Sequence, residues 1–213
     1  MIYYENILLC ISLPLLVLLP FASKVARRFV LGFLIGMAMC LVGAYINSFF
    51  VYILNYSVME GARFVSPVVE EGMKLLPIFL FSLLYQPEDR RLIAYAAVVG
   101  AGFATFENCC YITENGAELL RFVLFRGLAV GVMHVSSGLL LGGGLILVRR
   151  FRSVMLPGMV GVFSAAVIFH ATYNLLVSVE GISTWIGFFM PLAITTILWV
   201  LWKRRKKPDE PDN

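Results

Sequence analysis

Charge is what this sequence has least of. Only 14 % of its 213 residues are Asp, Glu, Lys or Arg, while 60 % are hydrophobic, against roughly a quarter charged in soluble domains. That excludes a water-soluble globular chain and implies an integral membrane protein. The net charge of +4 is not a nucleic-acid signature, because the basic residues sit at the ends of apolar runs instead of forming a stripe; no nucleic-acid partner is expected, and the lipid bilayer is the expected surroundings. The four cysteines, Cys10, Cys40, Cys109 and Cys110, show neither metal-ligand spacing nor a secreted-scaffold pattern and are predicted to be free, buried thiols. Met1 to Asn6 offers no basic stretch ahead of the first apolar run and contains Glu5, so that run is expected to persist as a span. No short H-E-x-x-H signature is present, and no internal repeat or pair of interrupted helices points to an inverted-repeat transporter.

What is there is a series of apolar runs of spanning length, roughly 17 to 25 residues each. Seven are predicted, at about 6–23, 29–54, 67–85, 92–113, 123–148, 153–177 and 185–202. The fold class is therefore all-α, a polytopic membrane protein with one helical domain over 1–202 and a basic tail, 203–213, predicted to be disordered. Of seventeen basic residues, thirteen lie on alternate connections, whereas Arg63, Arg121 and Arg126 fall on or near the other side and Lys74 inside a span. The positive-inside rule then puts the amino terminus outside and the carboxyl terminus in the cytoplasm. Tyr3, Tyr4, Tyr56, Trp185, Trp199 and Trp202 sit near the expected interfaces. Gly32/Gly36 and Gly138/Gly142 suit close helix packing.

Against this apolar background the ionisable residues inside spans stand out, because each costs several kcal/mol unless paired or wetted, of order ~3 kcal/mol at a helix centre. Glu70, Glu71 and Lys74 fall in the third span, Glu107 and Asn108 in the fourth, His134 in the fifth, and His170 and Asn174 in the sixth. Counted from the outer surface at 1.5 Å per residue, Glu70 is roughly 5 Å deep, Glu107 and His170 roughly 10 Å and His134 roughly 15 Å. A shared depth on four helices predicts one water-accessible cavity in the outer half, within a catalytic core of about 66–177.

Each group also has a structural reading. Ser66 and Pro67 resemble a helix start, and Glu70 precedes Lys74 by four residues, the favoured orientation of a helical ion pair. That pairing leaves Glu71 spare, or Glu70 if the neighbour takes the lysine, and a spare buried carboxylate suits a general base. Gly100-Ala-Gly-Phe-Ala-Thr-Phe is rich in small residues that admit a close neighbour. His170 and Asn174 share a helix face and are suited to polarising a carbonyl. Jointly, Glu107, His134 and His170 supply three ligands of the types zinc takes, with Glu70 or Glu71 left to activate water; the same residues also suit a metal-free site with a glutamate base. Spacing leaves both open.

The ordered residues Glu70-Glu71-x-x-Lys74, Phe103-x-x-x-Glu107-Asn108, His134 and His170-x-x-x-Asn174 resemble the PrsW family of intramembrane proteases. A more distant likeness links that family to the type II CAAX prenyl endopeptidases, whose pattern has Arg and His where this chain has Lys74 and Glu107, which speaks against a prenyl-protein substrate. The resemblance implies hydrolysis of a peptide bond in a single-pass membrane protein, an anti-sigma factor in characterised relatives, on the outer side of a bacterial cell membrane. By motif position it implies Glu70 or Glu71 as base, Glu107, His134 and His170 as zinc ligands or water-orienting groups, and Asn174 as oxyanion donor. Two rival functions are a proton-linked carrier or channel built on a Glu/His relay and a non-catalytic protein that binds a partner helix.

Overall fold

The computed structural model describes residues 3–116, 120–151, 153 and 155–205. Helices occupy nearly all of them: α1 (Tyr4–Leu18), α2 (Lys24–Leu54), the single turn α3 (Val58–Glu60), α4 (Ser66–Tyr85), α5 (Asp89–Asn115), α6 (Leu120–Arg150), α7 (Met155–Val177) and α8 (Ile182–Arg205). Among the described residues there is no strand. Six of the seven long helices are apolar and long enough to cross a membrane. The seventh, α4, has 20 residues, about 30 Å of helix, but any stretch of spanning length within it contains Glu70, Glu71 and Lys74. The expected tail beyond residue 205 lies outside the described residues, as do the side chains of Arg121 and Trp202.

Helix ends follow local chemistry. Ser23 caps α2 by accepting from the Ala26 N–H at 3.2 Å, and Asn55 closes it in the left-handed region (φ 53°). The stretch 55–66, between the second and third expected spans, is itself largely helical. Ser57 and Glu60 form a capping box around α3, and Gly61–Val65 makes a π-turn that runs into α4. Pro67 occupies the first turn of α4 as expected, but Ser66 is no cap: its backbone is helical (φ −53°, ψ −47°) and its Oγ accepts from Asn47 Nδ2 at 2.8 Å.

Small residues set the helix spacing. A Cβ added at Gly36 would lie 2.2 Å from the Val99 carbonyl oxygen, and one at Gly138 2.5 Å from that of Ala96, so α5 packs backbone to backbone against α2 on one side and α6 on the other. Apolar side chains fill the remainder, with Ile78, Val99 and Leu141 in one cluster, Met37, Phe103 and Phe106 in a second, and Met133, Phe169 and Tyr173 in a third. At the opposite end of the bundle from the π-turn, Arg149 and Arg150 of α6 both reach Asp89 at the start of α5, at 3.0 and 2.8 Å. The cysteines are free, but only Cys40 is buried. Cys10 is exposed because α1 buries none of its residues and lies on the rim of the bundle.

Candidate active site

Four helices converge on one polar cluster between the apolar layers. Lys74 and Glu71 are fully buried and joined at 2.6 Å. The pair is therefore Glu71 with Lys74, three residues apart, and not Glu70 with Lys74 as the four-residue spacing predicts. The reason is tertiary: Lys74 Nζ also donates to His134 Nδ1 (2.9 Å) and Ser137 Oγ (2.7 Å) on α6. That triple demand turns the ammonium toward α6. All three Nζ protons are then used, which is what a buried ammonium requires.

Glu71 Oε1 accepts a second bond, from His170 Nδ1 at 2.7 Å. A ring proton on Nδ1 leaves His170 Nε2 with its lone pair free. Facing that nitrogen at 3.8 Å is Glu70 Oε2, which is shielded from solvent and has no hydrogen-bond partner. His134 stands edge-on to His170, ring centroids 5.3 Å apart. Because Lys74 donates to its Nδ1, its ring proton belongs on Nε2, from which it donates to Glu107 Oε2 at 2.5 Å. Glu107 Oε1 in turn accepts from Arg126 at 3.3 Å, and the Arg126 guanidinium lies over the Tyr111 ring, 3.3 Å from its centroid.

Glu70, Glu107 and Arg126 line a cavity of about 220 Å³ between α1, α2, α4, α5 and α6, together with Asn47, Phe103 and Tyr4. The cluster is thus layered, with a sealed network of Glu71, Lys74 and Ser137 behind and Glu70, Glu107 and Arg126 facing open space. Tyr4 bonds to Glu114 and Tyr45 to Glu5, which ties α1 across the cavity's outer wall.

The donor set is of the kind zinc takes. Ligand atoms of Glu70, His134 and His170 all lie within 4.8 Å of one another, and an unpartnered buried carboxylate oxygen facing an unprotonated imidazole nitrogen is an arrangement that a cation relieves. Glu71 on His170 Nδ1 is the carboxylate behind a histidine ligand that fixes its tautomer. His134 is less prepared: as a ligand through Nε2 it moves its ring proton to Nδ1 and gives up the bond from Lys74. Glu107, expected in the ligand set, stands beside His134 while Glu70 joins the two histidines.

Asn174 is elsewhere. Its Nδ2 donates to the Ala62 carbonyl at 2.9 Å, one of the backbone groups on the π-turn. Arg126 was missed in the sequence, where it counted only as a flanking charge; an arginine inside the limits of a predicted span was the available signal.

Two comparisons relate the chain as a whole to known proteins. The sequence profile described as "PrsW family intramembrane metalloprotease" matches residues 22–202, that is, everything from α2 nearly to the end of α8. The chain is also similar to Protease PrsW of Oceanobacillus iheyensis, 26 % identical over 182 residues that cover 83 % of this chain and 79 % of the relative. No solved structure matches it.

Proposed function

The chain belongs to the PrsW family of intramembrane metalloproteases, and from that premise we propose that it hydrolyses a peptide bond in a single-pass membrane protein, of the anti-sigma-factor kind, near the outer end of the substrate's span. The observation that carries the reading is the buried, unpartnered Glu70 Oε2 opposite His170 Nε2. Glu71 Oε2 is also buried without a partner, but it is Glu70 that groups with both histidines within 4.8 Å, as a site built to bind a cation would have it.

Glu70, His134 and His170 would hold the zinc, which when bound supplies a polarised water and a Lewis acid for the substrate carbonyl. Glu71 orients His170, and Lys74 holds Glu71 in place. A His134 that ligates through Nε2 no longer donates to Glu107, so Glu107 Oε2 becomes a free acceptor beside the cavity. That makes Glu107 the base for the attacking water. Asn174 contributes by holding the π-turn at the mouth of α4, a positioning role. The cavity accepts a short length of extended chain but no intact helix, so the substrate must be unwound where it is cut; helix ends, whose last carbonyls lack partners, unwind most readily. The positive-inside count, with the amino terminus outside, supports an outer location for that end.

Metal content and cleavage of Glu70→Gln and Glu107→Gln proteins, purified in detergent beside wild type, test the division of roles. Glu70→Gln is expected to lose both metal and activity, and Glu107→Gln to keep metal and lose activity. The reverse pattern exchanges their roles. Full activity in both refutes hydrolysis at this cluster. Single cysteines at the native Cys110, which lines the cavity, and at an engineered tail position test the side: an impermeant thiol reagent added outside intact cells should modify Cys110 alone.

A further inference from the structure

Peptide hydrolysis puts negative charge on the substrate's carbonyl oxygen, and a donor fixed in advance at that point is worth more than any other single feature of such a site. The candidates nearest the cluster are already engaged. Lys74 has all three protons committed to Glu71, His134 and Ser137. His170 gives its Nδ1–H to Glu71, and Asn174 gives its amide to Ala62.

Arg126 differs from these. It lines the cavity beside Glu70 and Glu107, its guanidinium plane is held by Tyr111 below and Glu107 at one edge, and its Nε–H is hidden from solvent with no partner. Leaving a buried charged donor unsatisfied is costly, so an acceptor is expected to arrive. The same cavity contains the complementary vacancy. Asn47, oriented by its Nδ2 bond to Ser66 Oγ, presents a buried Oδ1 without a donor. One missing acceptor and one missing donor in a single cavity match the two halves of a peptide backbone, C=O and N–H.

We propose that Arg126 is the oxyanion donor of this enzyme and that Asn47 accepts a backbone N–H of the substrate next to the bond that is cut. This rests on the hydrolase reading above. As the water oxygen bonds to the carbonyl carbon, its proton passes to Glu107 and the C=O π pair moves onto oxygen, where the Arg126 Nε–H receives it. Collapse of that anion breaks the C–N bond, and the departing nitrogen takes the proton back from Glu107. The products are a carboxylic acid and an amine, which then share the remaining proton as carboxylate and ammonium. Arg126 is fit for this work because a guanidinium stays charged in a partly apolar site and its stacked plane needs no reorganisation.

The test uses an apolar tetrapeptide, Ala-Leu-Ala-Leu with both ends blocked, and its analogue with the central amide replaced by an anionic phosphinate. Cleavage of the amide and binding of both are measured with wild type, Arg126→Gln, Arg126→Lys, Arg126→Ala and Asn47→Leu, with metal content determined for each. Arg126→Gln is expected to lower kcat by about 10²–10³-fold with KM and metal content little changed, and to weaken the phosphinate far more than the amide. Arg126→Lys should recover part of kcat, and guanidinium ion should restore part of it to Arg126→Ala. Asn47→Leu should raise KM instead. Unchanged kcat in Arg126→Gln, equal weakening of the two peptides, or a loss that follows loss of metal overturns the proposal. Wild-type protein that binds neither peptide overturns the hydrolase reading itself.

Discussion

Gly100→Ala should damage the active site without touching any polar residue in it. A Cβ at position 100 would sit 2.3 Å from the His134 carbonyl oxygen and 2.9 Å from its carbon. Ordinary contact begins near 3.4 Å, so α5 and α6 must part by about 1 Å at the level of His134. Overpacking of that kind costs about 1–3 kcal/mol, and at about 2–4 °C per kcal/mol for a chain of this size the thermal midpoint in detergent should fall by several degrees. Activity should fall further. His134 is bonded to Glu107 of α5 at 2.5 Å and to Lys74 of α4 at 2.9 Å, and a shift of about 1 Å in one partner lowers rates by as much as ~10²-fold. Gly131→Ala, one turn earlier on the same helix as His134, meets nothing within 4 Å and should be neutral or, by up to about 1 kcal/mol of helix propensity, stabilising. Paired thermal melts and turnover measurements decide it. A Gly100→Ala protein with the wild-type midpoint and turnover, or a Gly131→Ala protein as impaired as Gly100→Ala, would refute the account of backbone contact as what sets the site.

Lys74→Met leaves the fully buried Glu71 carboxylate facing His170 alone, and breaking such a pair on one side costs about 3–5 kcal/mol; Lys74→Met with Glu71→Leu should recover most of that stability in thermal melts while remaining inactive. Removing residues 3–21, which carry α1, a helix that buries none of its own residues and reaches the cavity through Tyr4 and its bond to Glu114, should speed reaction of Cys110 with a water-soluble thiol reagent several-fold; an unchanged rate would mean that α1 is no barrier. The Ser57 hydrogen bonds hold the Glu60 carboxyl below its usual range, so the capping box is present above the unfolded pKa of Glu60 and is lost as pH falls through the lower folded value. Hydrogen-exchange protection at Gly61–Val65, measured against the intrinsic rate at each pH, should therefore fall on acidification, and should be low already at neutral pH in Glu60→Ala.

The helices were legible because apolar length is a one-dimensional signal. The expected spans at 67–85, 92–113 and 123–148 became Ser66–Tyr85, Asp89–Asn115 and Leu120–Arg150, longer at the ends because polar residues such as Asp89 and Arg150 continue a helix into the interface, where hydropathy stops reporting it. The gathering of Glu70, Glu107, His134 and His170 was legible for the same reason: depth follows from position along a span, and four helices at one depth in one small bundle have few ways to avoid each other. What depth cannot supply is azimuth. Glu70 and Glu71 lie about 100° apart around α4, and nothing in the local sequence says which of them meets Lys74. That was decided by Ser137 and His134 on α6, which draw Lys74, and Lys74 draws Glu71. Arg126 was hidden by the same limitation, because its partners Glu107 and Tyr111 come from another helix.

This azimuthal sorting is also what lets one cluster serve two incompatible needs. A site that moves protons must hold some charges rigidly in the apolar interior and leave others short of partners. On α4 the two needs fall on adjacent residues. Glu71, turned inward, accepts from Lys74 and His170 through Oε1 and leaves Oε2 without a partner; Glu70, turned toward the cavity, has an unpartnered Oε2 3.8 Å from His170 Nε2. Exchanging which of the two meets Lys74 would require rotating the helix by about a quarter turn, against Pro67 and the π-turn at its start and against Asn174, which holds that turn through Ala62. The Asn174 bond is therefore remote from the chemistry and yet part of what selects Glu70 over Glu71. Asn174→Ala should release the π-turn first, seen as faster hydrogen exchange at Gly61–Val65, and lower metal affinity as a consequence. Loss of activity with unchanged exchange and unchanged metal binding would instead return Asn174 to a direct role on the substrate.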